Sequence, residues 1–318
     1  MTIRGVLRTW ARVPFAGALL IGATGCATLL GARPLANAAP GATTFHTIRV
    51  GHRTRSYLLH LPPEAATGAR LPLLLVFHGY LGNANTAMDA SRMNAEADRR
   101  GFIVAYPNGT GALRYAGLSW NAVTCCGYAQ RHQVDDVSFA DSLVATLVRQ
   151  AGADPARVYA AGFSAGGMLA LRLACERAGT YAAVADVAGA MPDAACTPSR
   201  RVPVLFFQGA ADRELRFDLR TLVRPSGHGF AHSLERALRF WAGRDGCATD
   251  EFARDSTDRY TLEHPAACPG AKDAVELYTV RDHPHAWPGG APTWAFGPRP
   301  APGVDASAII LDFFEKRH

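Results

Sequence analysis

Short apolar segments rich in β-branched and aromatic residues alternate, from about residue 43 onward, with segments of helical hydrophobic spacing. Leu71–Phe77 is a nearly continuous apolar run, which is typical of a strand buried on both faces of a parallel sheet. Val134–Gln150 instead repeats its apolar residues at helical intervals. This alternation predicts βαβ units and therefore an α/β domain built on a mostly parallel central sheet flanked by helices. Functional sites in such sheets form beyond the carboxyl ends of the strands.

The same pattern predicts where the individual elements lie. Strands are predicted at two segments of His46–Leu61 joined by Gly51-His52, and at Leu71–Phe77, Phe102–Tyr106, Arg157–Phe163, Ala182–Val187, Val202–Phe207 and Ala274–Val280. Helices are predicted at Ala84–Arg100, Val134–Gln150, Ala165–Cys175, Ala231–Trp241 and Asp305–Lys316. Two long stretches, Asn108–Gln133 and His283–Gly303, have no regular pattern but contain Trp120, Trp287 and Trp294. Long ordered loops are often functional, so we interpret both as walls of a cleft.

The first 38 residues have the pattern of an export signal. Arg4, Arg8 and Arg12 form a basic start, an apolar run follows, and a small-x-small site ends at Ala38. We expect cleavage after Ala38, which leaves residues 39–318 as a single secreted domain with no stable membrane insertion. One alternative is a retained anchor, although the run is short and glycine-rich for a spanning helix. The other is a lipoprotein attached through Cys26, although leucine is absent three residues before it.

Charge and cysteine content narrow the class of protein further. The net charge of +6 includes four arginines and no acid in residues 1–38, which leaves +2 for the rest and does not indicate a nucleic-acid partner. Six cysteines follow the signal, an even number that favours disulfides after export. We predict that Cys247 pairs with Cys268 around a polar insertion, while the other four pairings stay open. No Cys-x-x-Cys or zinc-like histidine spacing occurs, so no metal site is predicted.

The strongest chemical signal is Gly162-Phe163-Ser164-Ala165-Gly166, which matches the Gly-x-Ser-x-Gly nucleophile elbow. In this motif a strand turns sharply into a helix with the serine at the apex, and glycines avoid clashes there. The predicted strand before Ser164 and the predicted helix after it supply the required context. The sequence therefore predicts Ser164 as a nucleophile.

A serine hydroxyl needs a base, which in α/β-hydrolases follows an acid along the chain. Asp212 lies in the turn after the predicted strand Val202–Phe207, a position that suits the acid better than those of the other candidates, Asp186, Asp193 and Asp218. His283 and His285 both follow the last predicted strand, and either could reach the serine.

The tetrahedral intermediate of ester hydrolysis needs two hydrogen-bond donors aimed at its oxyanion. One donor is expected to be the backbone N–H of Ala165, directly after the nucleophile. The other is expected in the loop after the third strand, and we assign it to the N–H of Tyr80.

Several motifs together resemble the polyhydroxybutyrate depolymerase/feruloyl esterase family of carbohydrate esterases. They are His78-Gly79, Trp120-Asn121, Cys125-Cys126-Gly127, Val134-Asp135-Asp136-Val137, Gly162-Phe163-Ser164-Ala165-Gly166-Gly167 and His285-Ala286-Trp287-Pro288-Gly289. The resemblance covers nearly all of residues 43–318. It implies an α/β-hydrolase fold, ester hydrolysis and no cofactor, and it assigns the catalytic histidine to His285. Two positions depart from the family: Gln208 stands where a histidine is usual, and Asp282-His283-Pro284 replaces glycines.

These observations predict a secreted serine esterase acting on feruloyl, acetyl or short hydroxyalkanoate esters, either as small molecules or linked to polysaccharide. His78, Trp120 and Trp287 are the expected substrate-binding residues, because aromatic faces stack on planar rings and sugars. Asp135 and Asp136 are interpreted as caps of the following helix. A non-catalytic binding protein on the same scaffold is the rival class, and the complete triad argues against it. An acyltransferase or peptidase is the other alternative, since a triad does not by itself determine which molecule accepts the acyl group.

Overall fold

The computed structural model describes residues 39–123, 125–189, 196–214, 234–268, 274–293 and 297–317. The predicted export signal with Cys26 therefore lies outside the described residues, as do Asp193, Asp218 and Trp294.

The described strands form one ten-stranded sheet in the order β1-β2-β4-β3-β5-β6-β7-β10-β9-β8. The strands are β1 Ala42–Val50, β2 Arg53–Leu61, β3 Leu71–Phe77, β4 Ile103–Pro107, β5 Ala153–Phe163, β6 Ala183–Val187, β7 Val204–Gly209, β8 Phe252–Ser256, β9 Tyr260–Pro265 and β10 Val275–Val280. Strands from β4 through β3, β5, β6 and β7 to β10 are mutually parallel, and antiparallel hairpins complete both edges. The predicted parallel sheet is thus confirmed.

Helices cover both faces of this sheet, which explains why its central strands are apolar throughout. They are α1 Ala84–Ser91, α2 Met93–Arg100, α3 Gly127–Arg131, α4 Asp136–Gln150, α5 Ala165–Glu176, α6 Leu234–Arg244 and α7 Ala306–Glu315, with a 3-10 turn at Pro63–Thr67. Alternate residues of β3 enter different cores, with Leu73 and Leu75 packing beside α4 and α5, and Leu74 beside α1 and α7. Among the described helices, none has both the length and the apolar character needed to cross a membrane.

Three local predictions need correction. The helix predicted over Ala84–Arg100 is broken into α1 and α2, because Arg92 adopts a left-handed backbone with φ 53°. The polar insertion before Cys268 contains the hairpin of β8 and β9, whose polar strands at the sheet edge lack a strong apolar pattern. Asp135 caps α4 through the N–H of Ser138, but Asp136 is buried and bonded to Arg55 instead.

The six described cysteines form three disulfides. Cys247 is bonded to Cys268, the pair expected from the sequence, and closes the segment that carries β8 and β9. The pairs that the sequence left open are Cys125–Cys126 and Cys175–Cys196.

Replacing both Cys247 and Cys268 by serine is expected to lower the free energy of unfolding by about 3 kcal/mol, because the unfolded chain regains the freedom of a loop of this length. Denaturant titration of the double variant against the parent measures this loss. Peptide mapping without reduction should recover the linked pair. An unchanged unfolding midpoint would show that the edge hairpin is held by packing alone.

Candidate active site

Ser164 lies between the end of β5 and the first residue of α5. Its backbone has φ 53° and ψ −119°, a strained conformation for a residue with a side chain. The N–H of Ser164 donates to the carbonyl of Val187 at 2.8 Å, which ties the turn to the end of β6. The predicted strand–turn–helix context of a nucleophile elbow is therefore present.

The glycines around Ser164 allow backbones to approach closely. A Cβ atom at Gly162 would overlap the backbone of Gly166, and a Cβ at Gly166 would overlap the carbonyls of Phe77 and His78. The start of α5 consequently packs directly on the end of β3. This contact brings the loop after β3 beside the turn that holds Ser164.

Asp212 and His285 are hydrogen-bonded partners, although 73 positions separate them in the sequence. Nδ1 of His285 donates to Oδ2 of Asp212 at 2.7 Å. The buried carboxylate also accepts from the side-chain amide of Gln208 at 3.1 Å and from the N–H of Glu214 at 2.9 Å. Gln208, which stands where the family usually has a histidine, thus contacts the carboxylate of Asp212 directly. Because Nδ1 carries the proton that is donated to Asp212, Nε2 is left as the basic atom of the ring.

His283, the other candidate base, has both ring nitrogens bonded to backbone. Its Nε2 donates to the carbonyl of Ala286 at 3.1 Å, and its Nδ1 accepts from the N–H of Ala301 at 3.1 Å. The side chain is fully buried, and burial lowers its pKa. These contacts organise the loop after β10 and leave His285 as the histidine that faces the cavity.

Ser164 and His285 line one cavity of about 460 Å³ at the carboxyl edge of the sheet. Its walls are largely apolar and include Tyr80, Leu81 and Phe163. The ring of Phe163 packs against that of His285, with centroids 4.8 Å apart. A mostly apolar pocket with a few convergent polar groups is the usual form of a small-molecule site.

Glu214 is a cavity residue that the sequence reasoning missed. Its Oε2 lies 3.7 Å from Nε2 of His285, and its side chain is largely exposed. The only sequence signal was its position two residues after the predicted acid. Glu214 places a negative charge at the mouth of the cavity, on the side of His285 opposite Asp212.

Tyr80 and Ala165, the expected oxyanion donors, lie on the two chain segments that meet beside Ser164. Ala165 is the first residue of α5, where backbone N–H groups have no partner within the helix. After Tyr80, the N–H of Leu81 donates to Leu118 and that of Gly82 to Gly79. The hydrogen bonds of the described residues include none donated by the N–H of Tyr80.

His78 lines the cavity, but its contacts are those of a positioning residue. Its Nδ1 donates to the carbonyl of Gly79 at 2.7 Å, and its Nε2 accepts from the N–H of Gly109 at 3.0 Å. Burial lowers the pKa of His78 to about 4, so the ring is neutral near pH 7. Both nitrogens are engaged with backbone, which differs from the expected role in binding substrate.

The expectation that Trp120 lines the cleft is wrong. This side chain is 0% exposed, packs edge-on against Phe77 and donates from Nε1 to the carbonyl of His78 at 2.8 Å. Its indole fills the core under the loop after β3 and so holds that loop in place. Trp287 does line the cavity, but it is only 1% exposed and its Nε1 is bonded to Ser307.

Asp186, a competing candidate for the acid, lies in β6 rather than beyond a strand end. It is fully buried, which raises its pKa to about 8, and it packs against Gly167 and Gly189 rather than a histidine. Within the described ranges, no group of three or more His, Cys, Asp or Glu side chains could hold a metal ion.

The parallel sheet with helices on both faces and a serine elbow at its carboxyl edge defines an α/β-hydrolase. The acetyl xylan esterase from Aspergillus awamori shares this fold, with a TM-score of 0.57 at 14% identity over 76% of this chain and 94% of that one. NocK of Nocardia uniformis subsp. tsuyamanensis, a candidate esterase by its description, is 34% identical over 301 residues, which are 88% of this chain and 83% of NocK.

Two further similarities establish the family. The family model described as Esterase PHB depolymerase matches residues 55–205. Feruloyl esterase B of Piromyces equi is 31% identical over 242 residues, which are 74% of this chain but only 43% of that longer protein. This chain belongs to the polyhydroxybutyrate depolymerase/feruloyl esterase family and is a carboxylic ester hydrolase.

Proposed function

We propose that this chain is a secreted serine esterase that cleaves feruloyl, acetyl or short hydroxyacyl esters through Ser164, His285 and Asp212. The observation that carries the proposal is the 2.7 Å bond between His285 and buried Asp212, with His285 and the strained Ser164 on the wall of one cavity. In the proposed mechanism, Asp212, His285 and Ser164 act as the acid, base and nucleophile.

The proposed reaction has two acyl-transfer steps. Nε2 of His285 accepts the proton of the Ser164 hydroxyl while Oγ attacks the ester carbonyl carbon, and the same proton then passes to the departing alcohol. A water molecule next gives a proton to His285 and attacks the acyl-serine carbonyl carbon. His285 then returns that proton to Oγ as the acyl–oxygen bond breaks, which releases the acid and restores Ser164. Nδ1 keeps its proton throughout, and Asp212 accepts a hydrogen bond from it and stabilises the imidazolium that forms in each step.

The backbone N–H groups of Tyr80 and Ala165 are the proposed donors to the oxyanion of both tetrahedral intermediates. Backbone donors at fixed positions need no reorganisation as charge develops, and each contributes about 3 kcal/mol to the transition state. The packing of Gly166 on the end of β3 supports this assignment, because it fixes the distance between the two donor segments.

The cavity favours a small, planar acyl group over a long aliphatic chain. Its volume of about 460 Å³ is bounded by the rings of Tyr80, Phe163 and Trp287. Tyr80 is half-exposed and is held at the rim by packing against Gly127. The name of the Piromyces relative, feruloyl esterase B, supports an aromatic acyl substrate.

Secretion is part of the proposal and rests on two features. The sequence of residues 1–38 has the pattern of a cleavable signal. The six remaining cysteines are all paired in disulfides, which persist in oxidising compartments.

The purified protein is expected to hydrolyse methyl ferulate, phenyl acetate and 3-hydroxybutyrate esters, with kcat/KM falling for acyl chains beyond about eight carbons because the cavity is small. Replacing Tyr80 by alanine should lower kcat/KM for methyl ferulate about two- to thirteenfold, since ring packing contributes about 0.5–1.5 kcal/mol beyond burial. The same change should lower kcat/KM for phenyl acetate less, because we expect the ring of Tyr80 to contact the acyl group.

Tyr80→Phe is the matched control, because it keeps the ring and removes only the hydroxyl. It should retain the parent's selectivity. A kcat/KM that rises steadily with acyl length, or equal losses on both esters in Tyr80→Ala, would contradict the proposed substrate class.

A further inference from the structure

A second cavity, of about 230 Å³, opens beside the start of β2 and the loop that follows β4. Three arginines and several hydroxyl side chains line it, among them Arg53, Arg55, Arg114, Thr47, Ser56 and Thr110. We call it the arginine cavity. No acidic side chain is among its lining residues. Nothing in the proposed reaction uses it.

The arginine cavity has positive charge in excess. Arg55 is buried, and its charge is balanced by Asp136, whose Oδ1 lies 2.7 Å from the guanidinium. The Nε of Arg55 is nevertheless buried without a hydrogen-bond partner. Arg53 and Arg114 add two more cations, and Arg114 packs over the ring of Tyr115. Three cations and no acidic side chain among the lining residues leave a net positive charge that an anionic group in the cavity would neutralise.

The arginine cavity lies on the same edge of the sheet as Ser164. Strand order runs β2, β4, β3, β5, so two to three strand spacings, or about 10–15 Å, separate the cavity from the nucleophile. One hydrogen bond connects the linings of the two cavities. Gly109 lines the arginine cavity and donates its N–H to His78, which lines the catalytic one.

Exposed apolar side chains border the path between the two cavities. Tyr80 and Leu81, on the rim of the catalytic cavity, are 49% and 59% exposed, and Leu113, on the rim of the arginine cavity, is 63% exposed. The bond from the N–H of Leu81 to Leu118 joins these two loops, and the bridge of Thr110 with Ser119 closes the loop that carries Leu113. The rims of the two cavities are therefore formed by loops that contact each other.

We propose that the arginine cavity binds a carboxylate-bearing sugar on the same molecule that carries the ester, which rests on the proposed esterase function. The planar fork of a guanidinium matches a carboxylate, and the hydroxyls of Thr47, Ser56 and Thr110 match those of a sugar ring. Glu214 repels the same carboxylate from the catalytic cavity. The two charges therefore orient the substrate with its ester at Ser164 and its acidic sugar away from it.

Binding can be measured without catalysis. Ligand-observed NMR titration of the purified protein with sodium glucuronate, glucose and inorganic phosphate should give binding of glucuronate and at least about tenfold weaker binding of glucose, the factor expected for one charge-assisted hydrogen bond. The Arg53→Gln/Arg114→Gln double variant should lose at least about tenfold in glucuronate affinity on the same basis. If the double variant does not fold, the affinity of Arg114→Gln alone for glucuronate provides the same test.

Arg149→Gln is the matched control, since it removes the same charge at the exposed end of α4, on the opposite edge of the sheet. It should bind glucuronate like the parent. No glucuronate binding, equal binding of glucose, or an unchanged affinity in the double variant would overturn the inference. Tighter binding of phosphate than of glucuronate would also overturn it, because the site would then select a phosphate.

A kinetic test uses two feruloylated oligosaccharides that differ only in a uronic acid or a neutral sugar near the ester. The parent and Arg149→Gln should prefer the acidic substrate by about tenfold in kcat/KM, and Arg114→Gln should lose most of that preference. Cleavage of both substrates without preference refutes the acidic subsite and leaves the esterase function standing. If neither ester is cleaved, the esterase function fails, while the glucuronate titration still decides whether the arginine cavity binds the acid.

Discussion

Replacing Ser164 by alanine is expected to lower kcat/KM for every ester substrate by about 10⁴- to 10⁶-fold, the range seen when a triad nucleophile is removed. The loss follows because Oγ of Ser164 forms the acyl bond in the proposed reaction, and no other side chain in the cavity replaces it. Hydrolysis of 4-nitrophenyl acetate, followed at saturating and subsaturating substrate, measures the effect.

The free energy of unfolding should be almost unchanged in Ser164→Ala, because a backbone with φ 53° is about equally strained for alanine and serine. The unfolding midpoint therefore controls for misfolding. Ser256→Ala, on the exposed edge strand β8, is a matched control that should keep full activity. More than a few per cent residual activity in Ser164→Ala, with contaminating esterases excluded by mass spectrometry, would remove Ser164 from the mechanism.

Replacing His285 by alanine should cost as much activity as replacing Ser164, and combining both changes should cost little more, because triad members act as a unit. In the proposed reaction His285 supplies the base through Nε2, while its Nδ1–H donates to Asp212. Steady-state kcat/KM for the two single variants and the double variant tests this non-additivity. Losses that multiply in the double variant would mean that the two residues act in separate steps.

His283→Ala provides the contrasting variant two positions away. Because His283 is bonded to the backbone of Ala286 and Ala301, its loss should lower the free energy of unfolding by about 1–3 kcal/mol for each buried group left unpaired. The folded fraction should retain activity within about tenfold of the parent, far above that of His285→Ala. If His283→Ala proved the more damaging to kcat/KM, the base would be His283.

The two histidines show where sequence reasoning reaches its limit. Both follow the last predicted strand, and local pattern alone left them equivalent. The choice of His285 came from resemblance to a family, and the structure adds the physical reason. Which ring faces the cavity depends on partners far along the chain, Asp212 for one and Ala301 for the other.

The aromatic residues show that sequence pattern also fails to predict which loop side chains are buried. Trp120 and Trp287 lie in long loops without periodicity, and such loops normally run over the surface. The structure buries both, because the loop after β4 folds under the end of β3 and the loop after β10 packs onto Ser307. Tyr80 was assigned to the site for its backbone N–H, and the structure shows that its exposed ring also lies at the rim of the cavity.

The parallel sheet, the elbow at Ser164 and the turn that carries Asp212 follow from the amino-acid sequence alone. These features depend on short-range rules: continuous apolar runs become buried strands, and glycines permit a sharp turn. The tertiary structure was needed to show which tryptophans reach the cavity and that Arg53, Arg55 and Arg114 line a second cavity beside the first, and it supplies the physical reason for the choice of His285. Those outcomes depend on contacts between segments distant in sequence, and local hydrophobic pattern carries no information about which segments meet.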